Sequence, residues 1–271
     1  MQYINANKIF MKIVSLQSGL GNQIAQYVFY LFLQNKGYRV YPYFVDSLLN
    51  EHYGLELNKV LLSPQILSMP FWVKIFIKYI KYFPLLQSQT YNKKAFKVHY
   101  DGYYFEKRYF DSLPPHSLKF NYRNMSTTNI EFLDKHKNQL LVSIHIRRGD
   151  FLKSPAYLNI CTDHYYQQAI KYVENKYSNI LFVIFSDDIE YAKRAFSMKK
   201  AVIVDWNQKE NSYMDMLLMS CCSINIIANS SFSYWAARLN ENSILTIYPK
   251  KWWNYPPIDF FPKHWVGLEH M

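Results

Sequence analysis

The stretch LLVSIHIRRGD, residues 140–150, joins an apolar run to two arginines, a glycine and an acid. A short continuous apolar run bounded by polar residues is the pattern of a strand buried on both faces of a parallel sheet. Outward from it, ILFVIFS (180–186), AVIVD (201–205), SINIIAN (223–229) and SILTIYP (243–249) share that character. Helical patterns separate them. In 163–177, Tyr166, Ala169, Ile170, Val173 and Tyr177 fall on one face; further helices are expected just after Asp187, in NSYMDMLLMSCC and in SFSYWAARLN. Five strands alternating with four helices predict a doubly wound, Rossmann-like half.

The other half starts in the same way. KIVSLQ (12–17) reads as a strand, SGLGN (18–22) as a glycine turn, residues 22–35 as a helix ending at Gly37, and YRVYPYF as the next strand. A strand–helix–strand opening implies a second parallel sheet. The polar segments RNMSTTN and DKHKNQ place the boundary near residue 135, giving domains 1–135 and 136–271. Residues 47–138 are less regular.

Bulk composition narrows the function. The formal charge of +11 calls for an anionic partner. Lysine and arginine are dispersed, with no zinc-finger spacing and no RNP-like segment, so nucleic acid is not expected. Aromatics make up 18% of the chain, with 25 Tyr. Such rings suit carbohydrate sites, but tyrosine is also a common filler in proteins of A+T-rich genomes. The three cysteines, Cys161, Cys221 and Cys222, form neither a disulfide framework nor a CxxC zinc site, which fits a reducing compartment. The polar start MQYINANKIF does not read as a signal peptide, and no apolar run is long enough to span a bilayer. A cytoplasmic location is expected. Residues 70–86, PFWVKIFIKYIKYFPLL, carry Lys74, Lys78 and Lys81 on one helical face with aromatics around them. That pattern fits peripheral contact with the inner membrane, or an amphipathic core helix with a solvated lysine edge.

In open parallel sheets, ligands sit beyond the carboxyl ends of the strands. After residue 146 come Arg147, Arg148, Gly149 and Asp150, preceded by His145. Guanidinium groups remain charged and grip phosphate oxygens in pairs, so a diphosphate fits this turn; a surface ion-pair network with Asp150 is the alternative. Asp187 and Asp188 could accept from a nucleobase or sugar, or cap the following helix; metal binding is a third option, for which two adjacent acids alone are a weak signal. Asn229, Ser230, Ser231, Phe232 and Ser233 open a helix, where hydroxyls and backbone N–H groups favour an anion. SGLGN lacks the third glycine of the dinucleotide fingerprint, and neither a P-loop nor a GxSxG elbow is present. Nicotinamide, NTPase and hydrolase-triad chemistries are therefore disfavoured. His145 and Asp150 are both candidate bases.

Taken in order, SGLGNQIAQY, HIRRGDF, FSDDIEYAK and DMLLMSCCSINIIANSSFSYWAARL resemble the blocks of the alpha-1,2-fucosyltransferases of glycosyltransferase family 11. The HxRRGD block is shared more loosely with alpha-1,6- and protein O-fucosyltransferases; the NSSFSYWAA block is more specific. Tyr234 stands where the family usually has Trp, and Ala25-Gln26 where Phe-Gln is usual. The resemblance implies an α/β fold of GT-B type, with two Rossmann-like domains facing a cleft. It implies GDP-fucose as a substrate, no metal or other cofactor, and inversion at the anomeric carbon. The acceptor would be the 2-hydroxyl of a galactose-containing oligosaccharide or lipid-linked glycan. By position, Arg147 would contact the diphosphate and Arg148 support its loop. His145, Asn229, Ser230, Ser231, Phe232 and Gly21 would line the donor site. Asp187 would sit near guanine or ribose, and Asn22 near the reacting centre. Other linkages, or a non-catalytic GDP-sugar or glycan binder, are the alternatives.

Overall fold

The computed structural model describes residues 10–196, 200–255 and 260–269. The chain divides into two compact units. One runs up to Asn58 and takes in Ser63–Ser117; the other comprises Lys59–Leu62 and the chain from Leu118 onward.

In the first unit, β1 (Met11–Leu16) leads into α1 (Leu20–Asn35) and β2 (Arg39–Phe44). Short helices α2 (Asp46–Asn50) and α3 (Leu57–Val60) follow, the chain passing between units within α3. Then come α4 (Phe71–Tyr79), β3 (Gln87–Ser88), β4 (His99–Tyr100) and α5 (Lys107–Asp111). The sheet is parallel throughout, ordered β2-β1-β4-β3. Helix α1 is buried along nearly its whole length, with Phe29 stacked on Tyr104 at 3.8 Å. It stops because Gly37 takes a left-handed φ of +84°, open to a residue without Cβ, and its N–H donates to the Gln34 carbonyl.

The second unit contains α6 (Thr127–Lys135), β5 (Leu140–Ile146), α7 (Asp163–Glu174), β6 (Ile180–Ser186) and α8 (Ile189–Ala195). These lead to β7 (Ala201–Ile203), α9 (Tyr213–Met219), β8 (Ile224–Ile226), α10 (Ser231–Arg238), β9 (Leu245–Pro249) and β10 (Val266–Leu268). All strands are parallel, in the order β10-β9-β8-β5-β6-β7. That is the Rossmann order 3-2-1-4-5-6 read from the far edge, with one strand, β10, beyond the sequence expectation. The core rests on fully buried Val142, Ile144, Phe182, Ile184, Ile224 and Ile226 from the central strands. At full burial, each such side chain is worth about 1.5–3 kcal/mol of hydrophobic stabilisation.

The unit boundary falls between Ser117 and Leu118, so residues 118–135 join the second unit rather than the first. The polar run there is a capped helix, not a linker. Ser126 Oγ accepts from the Asn129 N–H at 3.3 Å, and Asn129 Oδ1 accepts from Trp206 Nε1 (2.7 Å) and Asn207 Nδ2 (3.1 Å). Much of the aromatic excess fills core: Tyr234, Trp252, Phe260, Phe261 and Trp265 pack together, and the Tyr234 hydroxyl donates to the Phe260 carbonyl at 3.1 Å. The three cysteines are free thiols; Cys221 and Cys222 lie just beyond α9 rather than inside it. Among the described residues no helix is long and apolar enough to cross a membrane.

Candidate donor site at the switch point

Strand β5 pairs with β6 on one side and β8 on the other, and the winding of the second unit reverses between β5 and β8. Such a reversal leaves a crevice outside the carboxyl ends of the two strands, where ligands of open α/β sheets bind. The turn after β5 carries Arg147–Asp150, the turn after β8 leads to Asn229–Phe232, and Asp187 and Asp188 follow β6. Three loops expected to carry chemistry thus leave neighbouring strand ends.

Ion pairs fix the arginine turn. Arg147 Nη2 lies 2.6 Å from Asp150 Oδ1, and Arg147 Nη1 lies 3.1 Å from Asp187 Oδ2. The Arg148 main-chain N–H donates to Asp187 Oδ1 at 2.8 Å, and Arg148 Nε donates to Asp188 Oδ2 at 3.2 Å. The Arg148 guanidinium carbon sits 3.6 Å from the centre of the Tyr191 ring, a cation–π stack. A Cβ at Gly149 would lie 2.7 Å from Asp187 Oδ2, so a larger residue would have to displace that carboxylate from its place against the arginine turn. Two guanidiniums therefore meet three carboxylates. The ion-pair network and the phosphate reading are not exclusive, because Arg147 remains about a third exposed and Asp150 about two thirds.

The two acids after β6 have separate jobs. Asp188 is the N-cap of α8, accepting the Tyr191 N–H at 3.0 Å. That bond, followed by those from Arg148, holds its carboxyl below the usual range. Asp187 braces the arginine turn from both sides. Its carboxylate is engaged by the arginine turn.

His145 is buried, and its ring centre lies 5.7 Å from that of Phe232 in α10, so the β5 end and the start of α10 touch. Burial, then the nearby Arg147 charge, pulls its pKa down to about 3. Its Nδ1 is buried without a hydrogen-bond partner.

In the last loop, Ser230 Oγ caps α10 by accepting the Phe232 N–H at 3.3 Å, and Ser231 starts the helix. Asn229 ties the loop down. Its Nδ2 donates to the Trp252 carbonyl at 3.0 Å, and its Oδ1 accepts from Cys161 Sγ at 3.3 Å. Both ends of the amide are used within the protein, so Asn229 supports the loop that opens α10.

Asn22 and Gly21 lie in the first unit, in the opening turn of α1. Asn22 Nδ2 donates to Ser18 Oγ at 3.1 Å, and Gly21 is buried. The reversal in that sheet falls between β1 and β4. There Ser15 Oγ and His99 Nε2 are 2.8 Å apart, while His99 Nδ1 and Asp101 Oδ1 are buried without partners. The sequence reading missed this pair, because a strand of two residues leaves no periodicity to read. Among the described residues, no group of three or more His, Cys, Asp or Glu is placed to hold a metal ion.

Two α/β units in one chain, each built on a parallel sheet and the second reversing at a turn rich in arginine, are an α/β architecture of GT-B type. The family model of glycosyl transferase family 11 matches residues 1–269, and the chain belongs to that family. An alpha-1,2-colitosyltransferase of Escherichia coli is 31% identical over 95% of this chain and 98% of its own length. The E. coli O-antigen biosynthesis glycosyltransferase WbnK is 38% identical over 43% of this chain and 40% of its own. The bovine galactoside 2-alpha-L-fucosyltransferase SEC1 is 28% identical, over 47% and 38% respectively. Among solved structures, the fucosyltransferase NodZ from Bradyrhizobium superposes with a TM-score of 0.54, at 14% identity over 86% of this chain and 93% of that one. At that identity the likeness speaks for the fold.

Proposed function

We propose that the protein transfers L-fucose from GDP-fucose to the 2-hydroxyl of a galactose-type acceptor in a surface glycan, with inversion and without a metal ion. The observation that carries this is the meeting of the β5 end, just before the Arg147 turn, with the start of α10 at the β5–β8 reversal, where the His145 and Phe232 ring centres lie 5.7 Å apart. In one displacement, the acceptor oxygen bonds to the anomeric carbon as the bond from that carbon to the diphosphate oxygen breaks. GDP leaves with the electron pair, the acceptor proton passes to a base, and attack opposite the leaving group inverts the centre. Negative charge gathers on the departing diphosphate. The Arg147 guanidinium, held by Asp187 and exchanging its Asp150 partner for phosphate oxygens, stabilises it, assisted by the positive end of α10. Of the two candidate bases, Asp150 is the accessible one and His145 the enclosed one.

The test is GDP release over a panel of galactosides, with NMR assignment of the product linkage. Arg147→Ala should lower kcat roughly a hundred- to thousand-fold, about 3–4 kcal/mol. Activity should persist in EDTA; loss restored by Mn²⁺ would overturn the metal-free mechanism. Absence of turnover with every acceptor despite GDP-fucose binding would favour a binding protein.

The full-length similarity to a colitosyltransferase supports a second reading, with a GDP-activated dideoxy sugar as donor. Competition between GDP-fucose and GDP-colitose, read as the ratio of kcat/KM values, separates the two.

A further inference from the structure

Residues 71–86 form α4 and two short 3₁₀ turns, Ile80–Tyr82 and Pro84–Leu86. One side is anchored: Val73, Ile77 and Ile80 are buried in a cluster with Ile13, Tyr41 and Val98. A helix packed in this way ordinarily shows polar residues on its outer side. Here the outer side carries Phe71, Ile75 and Tyr79, one turn apart, with Trp72 beside them and Tyr82 and Leu85 in the turns. Phe71 is 77% exposed, Tyr82 67% and Leu85 82%. Lys74, Lys78 and Lys81 border this strip and are exposed as well.

The surrounding sequence is one-signed. From residue 57 to residue 100 there is no Asp or Glu, and seven lysines; all 20 acidic residues of the chain lie elsewhere. A second lysine cluster meets the strip, since Lys97 Nζ donates to the Leu85 carbonyl at 2.9 Å, with Lys93, Lys94 and Phe96 exposed beside it.

We infer that residues 71–97 form a docking surface for an anionic lipid bilayer, with aromatic and aliphatic side chains entering the headgroup boundary and lysines engaging lipid phosphates. Exposed rings interleaved with lysines match the two layers of that boundary, apolar below and anionic above, and long lysine stems can reach up from the apolar level. Nine residues of α4 are too few to span a bilayer, so the helix lies on the surface. A second copy of the chain is the poorer fit, because two such faces would oppose lysine to lysine with no acid to pair them. The sequence allowed either a core helix or a membrane helix. The structure shows α4 and the turn after it anchored by Val73, Ile77 and Ile80, while Phe71, Trp72 and Tyr79 face outward.

The test is co-sedimentation of the full chain with vesicles of phosphatidylcholine alone or mixed with phosphatidylglycerol. Binding should require phosphatidylglycerol and weaken with added salt. Lys74→Glu/Lys78→Glu/Lys81→Glu and, separately, Phe71→Ser/Trp72→Ser should each weaken it about tenfold or more. All five side chains are exposed, so Tm and GDP binding should stay unchanged and show that the variants are folded. Wild-type protein that ignores phosphatidylglycerol, or variants that bind like wild type, would overturn the inference. So would a wild-type dimer in analytical ultracentrifugation that the variants abolish, since that makes the face a self-association surface. None of these readouts depends on which sugar is transferred.

Discussion

Asp187 is held between the two arginines of one turn: its Oδ2 lies 3.1 Å from Arg147 Nη1, and its Oδ1 accepts the Arg148 main-chain N–H at 2.8 Å. The carboxylate fixes both the direction of the Arg147 guanidinium and the path of the backbone behind it. Asp187→Asn keeps the size but halves the bracing. GDP affinity should fall roughly fivefold, about 1 kcal/mol, the worth of one charge-assisted bond at a partly exposed site. Isothermal titration of GDP measures this.

Gly149→Ala should reproduce that loss by another route. Its methyl group would press on Asp187 Oδ2, which can yield only by releasing Arg147. If both changes act on one contact, the double variant should bind GDP no more weakly than the worse single one; a fully additive loss would separate the two residues.

Asp150→Asn should act in the opposite direction on binding. Asp150 holds Arg147 from the exposed side, where a diphosphate would compete with it. Removing its charge should tighten GDP binding roughly two- to threefold, the scale of a surface ion pair. If Asp150 is also the base, kcat should fall about a hundredfold or more in the same variant. Titration and steady-state kinetics on one preparation report both.

Two buried groups give opposite pH dependences. Burial pushes the Asp215 carboxyl up to about 8, partly offset by the bond from Asn207 Nδ2 at 3.0 Å. Because its folded pKa lies above the unfolded one, its contribution to stability is full below about pH 4 and is lost as pH rises through about 8. Asp215→Asn retains a carbonyl oxygen for Asn207 and should raise Tm by roughly 2–4 °C at about pH 8.5 while leaving it unchanged near pH 4.

His145 has the reverse sign. With its folded pKa pulled down to about 3, its contribution is full above about pH 6.5 and is lost as pH falls toward about 3. Its imidazole should show no titration between about pH 5 and 8 in NMR spectra. A midpoint near 6.5 would mean that the ring is solvated.

Strands β5 and β6 were legible because a strand buried on both faces must be apolar at every position, so sequence and boundary coincide at 140–146 and 180–186. Strand β10, three residues long, and β3 and β4, two residues each, are held by their neighbours and leave no pattern of their own. The candidate site was legible in composition but not in division of labour. Ser, Asp and Asn cap helices, brace loops and bind ligands with the same atoms, so only tertiary neighbours separate Asp188 as a cap, Asp187 as a brace and Asn229 as an anchor to Cys161 and Trp252. The same ambiguity hid the helix within the polar run 126–135, where the Oδ1 of buried Asn129 accepts from Trp206 and Asn207, far away in sequence.

A crystal structure of the protein with GDP decides whether the Arg147 turn holds the diphosphate. The diphosphate should lie at the β5–β8 reversal, with phosphate oxygens about 2.8 Å from the Arg147 guanidinium and beside the first turn of α10 at Ser230 and Ser231. A diphosphate bound elsewhere, with Arg147 still closed between Asp150 and Asp187, would contradict that placement.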